Sequence, residues 1–308
     1  HVPFCRFGCH YCHWIKSVGA GGDALDRFID DLEAELDDVA ARLGVSQIPA
    51  SSVLIGGGTP TYLDSPRLER MLHAIRRRVD LSPCRQFSVE AEPGTLLGTE
   101  GAARLKVLRA HGVDRISLGV QSYEDAVLAR MGRHHTGSEA RQAVQAIQGA
   151  GFESLSIDLI YGYPGQEVSD WSRTLETALA DGVDAWHLYR LRIERHGDVQ
   201  GVIRKEYEAE PEVFPGTSRA LLMKAIGHVF SWAYGRDEHF TRIFATDARH
   251  VTQYMWDYCC ALTDVIGFGP SSWGNWGRTF TLNAADQSRW SAAVRAGNLT
   301  VDRGLVRD

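Results

Sequence analysis

Over the first 195 residues, short apolar runs alternate with longer segments whose apolar side chains recur every three or four positions. Residues 26–43 carry Phe28, Ile29, Leu32, Leu36, Val39 and Leu43 at that spacing, the stripe of a helix with one buried face. The apolar run at 52–55 ends in three glycines. Residues 66–79 then read as a helix opening on a proline, whose missing N–H costs nothing there. Further strand-like runs lie at 86–91, 115–120, 154–160 and 185–191, with helical segments at 100–111, 124–130, 138–150 and 171–181. With the strand-like start at 1–4 this makes six strand–helix units. They predict an α/β fold, a partial (β/α)6 barrel with a parallel sheet and helices outside. Beyond Glu194 the rhythm stops. Residues 195–216 read as an irregular connection, 217–234 as a helix, 262–268 as strand-like and 284–296 as a final helix. We expect two parts: a core over 1–195, and a smaller mixed α/β part over 196–308 that covers the open end of the sheet. In such sheets chemistry gathers where strands end and loops lead into helices.

Composition narrows the class. The chain has 308 residues, 44% hydrophobic and 23% charged, as in an ordinary soluble protein. A formal charge of −6 leaves no basic excess to neutralise phosphates, so a nucleic-acid partner is not expected. No apolar run is long enough to span a bilayer, and a cytoplasmic location without a membrane partner is expected. The sequence opens inside a strand-like segment, so a preceding piece is expected. Three of six cysteines crowd into the first twelve residues, and Cys259 and Cys260 are adjacent. That clustering points to metal or redox chemistry in a reducing compartment rather than to a disulfide scaffold.

The opening residues set Cys5, Cys9 and Cys12 at Cys-x3-Cys-x2-Cys spacing. Three thiolates on one short loop can hold three irons of a cubane and leave the fourth open to a ligand. The alternative is a zinc site using two of the cysteines with His10 or His13. No second pair of ligands with finger-like spacing follows downstream.

Val2-Pro3-Phe4-Cys5, with Tyr11-Cys12 closing the motif, resembles the radical-SAM superfamily, in particular its coproporphyrinogen-dehydrogenase-like (HemN/HemW) branch. Further matches follow in order: Gly56-Gly57-Gly58-Thr59-Pro60-Thr61, Glu90-Ala91-Glu92-Pro93, Gly119-Val120-Gln121-Ser122, Gly132-Arg133-His134-His135-Thr136 and Asp158 to Gln166. The resemblance covers about residues 1–195 and then fades. It implies a [4Fe–4S] cluster on the three cysteines and S-adenosylmethionine (SAM) on its open iron, with reductive cleavage of SAM to a carbon radical. It also implies an external reductant such as a flavodoxin or ferredoxin.

By the same resemblance Gly57, Gly58 and Thr59 meet the methionine part of SAM. Glu90, Asp158 and Arg133 serve the first SAM, and Gln121 helps hold a second. Ile160 and Leu191 line the cofactor site, and Tyr189 and Leu191 belong to the last barrel strand. Gln121 and Tyr189 are the expected catalytic positions. The physical roles are compatible: carboxylates accept from ribose hydroxyls and ammonium groups, and a guanidinium clamps a carboxylate. Arg190 and Arg192 share a strand face suited either to anionic groups of a substrate or to solvent. Tyr254, Trp256, Tyr258, Trp273 and Trp276 form core or a stacking face for a flat substrate. The expected substrate is a small molecule, aromatic or carboxylated.

Departures from the branch shape the expected reaction. His13-Trp14 replaces the usual Asp-Phe pair, and 250–256 matches the His-Asn-x-x-Tyr-Trp signature only loosely. These differences favour transfer of a methyl or methylene group from a second SAM to an sp2 carbon of a natural-product precursor, as in class C methyltransferases and cyclopropanases. The alternatives are oxidative decarboxylation of a porphyrinogen and a heme chaperone.

Overall fold

The computed structural model describes residues 1–191, 241–259 and 263–306. Five parallel strands form the frame: β1 (Val53–Ile55), β2 (Phe87–Ala91), β3 (Arg115–Gln121), β4 (Ser154–Tyr161) and β5 (Ala185–Arg190). The sixth member, β6 (Thr241–Ala245), pairs antiparallel with β5. The strands stand in the order β6-β5-β4-β3-β2-β1.

The sheet therefore differs from six identical units. The Phe4–Cys5 segment pairs with Ser17–Val18 and meets the main sheet only through a Val2–Gly57 bridge. It leaves the sheet early because the cysteine loop follows at once. The antiparallel edge comes from residues in which the sequence showed no strand. The helix expected over 217–234 lies outside the described residues, as do the connection at 195–216, Arg192, Glu194 and Cys260. Residues 263–268 are no strand either; Val265 forms a single bridge to Asn275. The strands here are β7 (Trp273–Trp276), β8 (Thr279–Asn283) and β9 (Val301–Val306), an antiparallel meander turning at Gly277, φ +55°. Among the described residues no helix is long and apolar enough to cross a membrane.

The strands alternate large and small. Phe87, Val89, Ile116, Leu118, Leu155, Ile157, Trp186 and Leu188 are buried in the layer beneath the helices. The intervening positions carry Ser88, Glu90, Arg115, Ser117, Gly119, Ser156, Asp158, His187 and Tyr189. Successive side chains on a strand face opposite ways, so this second set lines the concave side. A barrel lumen filled with Val, Ile and Leu is a packed core. Here small and polar side chains leave it open, within a cavity of about 1040 Å³.

Helix α1 (Gly22–Leu43) packs on α2 (Ser65–Arg78) through its apolar stripe and holds the C-terminal segment through two buried acids. Glu35 accepts from Gly269 N (2.7 Å), Asn283 Nδ2 (3.2 Å), Trp290 Nε1 (3.1 Å) and Thr300 Oγ1 (2.7 Å). Asp31, one turn earlier, accepts from Ser291 Oγ (2.6 Å) and Arg295 Nε (2.9 Å). Glu35→Ala strands several buried donors at once, each worth about 1–3 kcal/mol. Urea unfolding should show a loss of about 3 kcal/mol or more; a loss below about 1 kcal/mol contradicts this role.

Candidate functional site

The cysteine loop is pinned on both sides. Its leading segment runs along the glycine loop after β1, with Val2 N donating to Gly56 O (2.9 Å), Gly58 N to Val2 O (2.8 Å) and Thr59 N to Phe4 O (2.7 Å). On the far side His10 N donates to Met131 O (3.0 Å), and His10 Nδ1 lies 2.8 Å from Arg130 O at the end of helix Asp125–Arg130. Two of the sulfurs receive donors: Thr59 Oγ1 to Cys5 (3.6 Å) and Arg133 Nη1 to Cys9 (3.4 Å). Lys16 Nζ donates to the carbonyl of Cys12 (3.0 Å).

Burial pushes the Cys5 thiol up to about 11 and raises Cys12 as well. Unmetallated, both stay protonated at neutral pH; bonding to a metal is what yields thiolates in such a setting. Among the described residues no three His, Cys, Asp or Glu side chains close on a point suited to a single ion. Three free, part-buried thiols on one short loop are a donor set that fits a [4Fe–4S] cluster.

Beside the loop, Glu90, the penultimate residue of β2, accepts from Gly57 N (3.0 Å). Burial first, and Asp158 second, push Glu90 up to about 7 from an ordinary 4.5. An acid with a raised folded pKa stabilises the fold below its unfolded value, and that contribution is lost as pH rises through the folded value. Wild type should therefore lose about 2–3 kcal/mol between pH 5 and pH 8 from this group. Glu90→Gln should remove that slope in pH-dependent urea unfolding; an unchanged slope contradicts the assignment.

Asp158 stands two strands away, 3.0 Å from His187 Nδ1. Glu90, Asp158, Gly57 and Tyr189 share the wall of the large cavity, with Trp14 from the cysteine loop. Gly58, Thr59, Gln121 and Arg133 do not line that cavity; Thr59 and Arg133 contact the Cys5 and Cys9 sulfurs instead. Gln121 has φ +69°, rare for a residue with a side chain, and sits at a bulge between β3 and β4. Its amide folds over Gly119, where a Cβ would come within 2.9 Å of Nε2. Arg133 donates to Gly119 O (2.7 Å) and lies over the Phe7 ring. Burial opposes its charge, yet Tyr11, Cys9 and Glu92 hold it well above its ordinary value. Ile160 and Leu191 pack with Tyr11, Met131, Tyr163 and Tyr189 in a small apolar cluster beneath the cysteine loop. Arg190 is exposed, on the strand face opposite to Tyr189, and does not enter the cavity. Tyr254 and Trp273 meet at 5.7 Å with their rings tilted by 50°, and both line the cavity, as does the half-exposed Trp276.

The family model for the Radical SAM superfamily matches residues 1–178. This chain is a radical SAM protein. It belongs to the HemN/HemW-like branch of that superfamily. It is 37% identical over 196 residues to the heme chaperone HemW of Lactococcus lactis, covering 64% of this chain and 49% of that protein. To the Escherichia coli heme chaperone HemW it is 30% identical over 278 residues, 89% of this chain and 68% of that one. The solved structure of coproporphyrinogen III oxidase (HemN) from Escherichia coli, described as a radical SAM enzyme, superposes with a TM-score of 0.85 at 25% identity. That match covers 100% of this chain and 71% of the other. The chain spans about half the length of the first curated relatives it matches.

Radical SAM membership brings a [4Fe–4S] cluster and SAM as the cofactors, which favours the cluster over the zinc alternative. The expectation of methyl or methylene transfer is overturned. The departures at His13-Trp14 and 250–256 suggested a different reaction, but similarity to heme chaperones runs through most of the chain and the HemN fold covers all of it. Local substitutions near a conserved frame are weak markers of reaction type.

Glu92, Arg115 and His187, to which the sequence assigned no role, complete the site with His135, expected beside Arg133 as a wall of the SAM pocket rather than a metal ligand. Glu92 is buried 3.3 Å from His135 Nδ1 and 3.7 Å from Arg133 Nη2. Neither of its oxygens has a hydrogen bond of good geometry, so it holds Arg133 by charge rather than by direction. Arg115 and His187 occupy lumen positions. The alternation Arg-x-Ser-x-Gly in β3 and Ser-x-Asp in β4 was the available signal.

Proposed function

We propose that this radical SAM protein binds a tetrapyrrole in the cavity beside its cysteine loop and handles heme, in the manner named for its HemW relatives. The observation that carries this reading is the 30–37% identity to heme chaperones. A cavity of about 1040 Å³ reaching the cysteine loop supports it. Its walls are largely apolar, with Phe28, Leu32, Phe268 and Trp273, as a flat apolar ligand requires.

Bound at the three cysteines, the cluster would supply single electrons to the sulfonium of SAM, the reductive cleavage typical of the superfamily. The chain's own residues would do the holding. Gly57, Gly58 and Thr59 would hold the segment leading into the cysteine loop close to the methionine part of SAM, since a side chain at either glycine would strike His1 or the Val2–Phe4 backbone. Glu90 and Asp158 would accept from its hydroxyl and ammonium groups. Arg133, fixed by Glu92 and His135, would clamp a carboxylate. Gln121 would add a neutral donor and acceptor. Ile160, Tyr189 and Leu191 would keep water from the cysteine loop. Residues 196–308 would form the part that covers the ligand.

Oxidative decarboxylation of a porphyrinogen is the second reading, favoured by the HemN likeness across the whole chain. One experiment separates the two. The anaerobically reconstituted protein is titrated with hemin, then incubated with SAM, dithionite and coproporphyrinogen III. Saturable hemin binding with a Soret shift and no porphyrinogen conversion is expected. Conversion without hemin binding supports decarboxylation, and the absence of both binding and conversion overturns the tetrapyrrole reading.

A further inference from the structure

The floor of the cavity carries a buried guanidinium that feels the charges of Asp158 and Glu90 but forms no ion pair with a carboxylate among the described residues. Arg115, the first residue of β3, is 1% exposed and lines the cavity. Its Nη2 donates to Ser156 Oγ (2.5 Å) and lies 3.5 Å from His187 Nε2. Its Nε has no hydrogen-bond partner, and among the described residues no carboxylate forms an ion pair with it. Asp158, on the adjacent strand, is engaged by His187 Nδ1 and by Ser117 Oγ. With Nδ1–H donating to Asp158, His187 Nε2 is left to accept from Arg115 and from Thr252 Oγ1 at 3.1 Å. Ser156 Oγ, which accepts from Arg115, donates to Ser117 Oγ at 3.1 Å, and Ser117 Oγ lies 3.5 Å from both oxygens of Asp158.

A buried guanidinium whose Nε is unpaired and which no carboxylate touches is costly, and a carboxylate meeting it by two hydrogen bonds offsets part of that cost. An anion reaching this floor must pass the apolar walls above, so it belongs to a ligand with an apolar body and an acidic edge. We propose that Arg115, with Ser117, Ser156 and His187, forms a carboxylate-binding pocket in the sheet lumen that receives an acidic side chain of the tetrapyrrole. This rests on the tetrapyrrole reading above and adds the orientation of the ligand, with one acidic edge down at the strands' amino ends and the opposite edge toward the cysteine loop. The methionine carboxylate of SAM is the other source of the same chemistry.

Hemin and its dimethyl ester are titrated into the reconstituted protein in one detergent, and SAM binding is measured in parallel, for wild type and Arg115→Gln. Wild type should bind the acid on the order of tenfold more tightly than the ester. Arg115→Gln should bring the acid to the ester's affinity and leave SAM affinity within about threefold. Equal affinity of wild type for acid and ester overturns the pocket while leaving tetrapyrrole binding intact, and this comparison needs no variant. Weakened SAM binding in Arg115→Gln, with acid–ester discrimination retained, also overturns it. Binding of neither porphyrin sinks the tetrapyrrole reading itself.

Discussion

Replacing Cys5, Cys9 or Cys12 by alanine should each abolish the visible absorbance of the reconstituted protein, its bound iron and sulfide, and any formation of 5′-deoxyadenosine from SAM. The three thiols sit on one loop whose ends are tied to the glycine loop and to residues 130–131. Each is therefore fixed where no other described cysteine can replace it. Cys84 is half-buried and donates to Gln86 O (3.3 Å), at the amino end of β2, and serves as the control. Cys84→Ala should keep full iron content. Retention of cluster and turnover by any of the three loop variants contradicts the ligand assignment.

The second large effect is expected from one methyl group. A Cβ on Gly58 would stand 2.7 Å from both the Val2 and Phe4 carbonyl oxygens and 2.9 Å from Phe4 N. These are backbone atoms already committed to Gly58 N and Thr59 N, so neither strand can give way without breaking the pairing that places Cys5. Overpacking of this kind costs about 1–3 kcal/mol, and here the strain falls on the segment leading into the cysteine loop. Gly58→Ala should fold with reduced stability, retain less than about half of the wild-type iron after gel filtration, and bind SAM at least about tenfold more weakly. Equilibrium dialysis with labelled SAM and iron analysis check both. Wild-type values in both assays contradict the close approach.

The frame was legible because its signals are local. Helix α1 ends at Leu43 as its stripe indicates, with Gly44 in the left-handed conformation, φ +69°, closing it. The helix Gly137–Gly149 starts on a Thr136–Glu139 capping box, within a residue of the boundary expected from sequence. The motifs fell at strand ends, where a parallel sheet collects its ligands. What escaped was set by partners distant in sequence. Thr241–Ala245 is a strand only because Ala185–Arg190 offers it an edge. Glu35 breaks the polar side of nothing in its own helix; its four donors lie more than 200 positions away. Trp273 and Trp276 read as an aromatic patch, yet they belong to a meander whose turn at Gly277 was the local clue. The open lumen was visible as small residues at every second position, a pattern that apolar run-finding discards.

The most direct measurement is the low-temperature EPR spectrum of the anaerobically reconstituted, dithionite-reduced protein, recorded before and after SAM is added. The account predicts one reduced [4Fe–4S] signal per chain whose line shape changes with SAM, because one iron has no protein ligand. A protein that holds zinc at these cysteines and shows no such signal, or a signal that SAM leaves untouched, contradicts it.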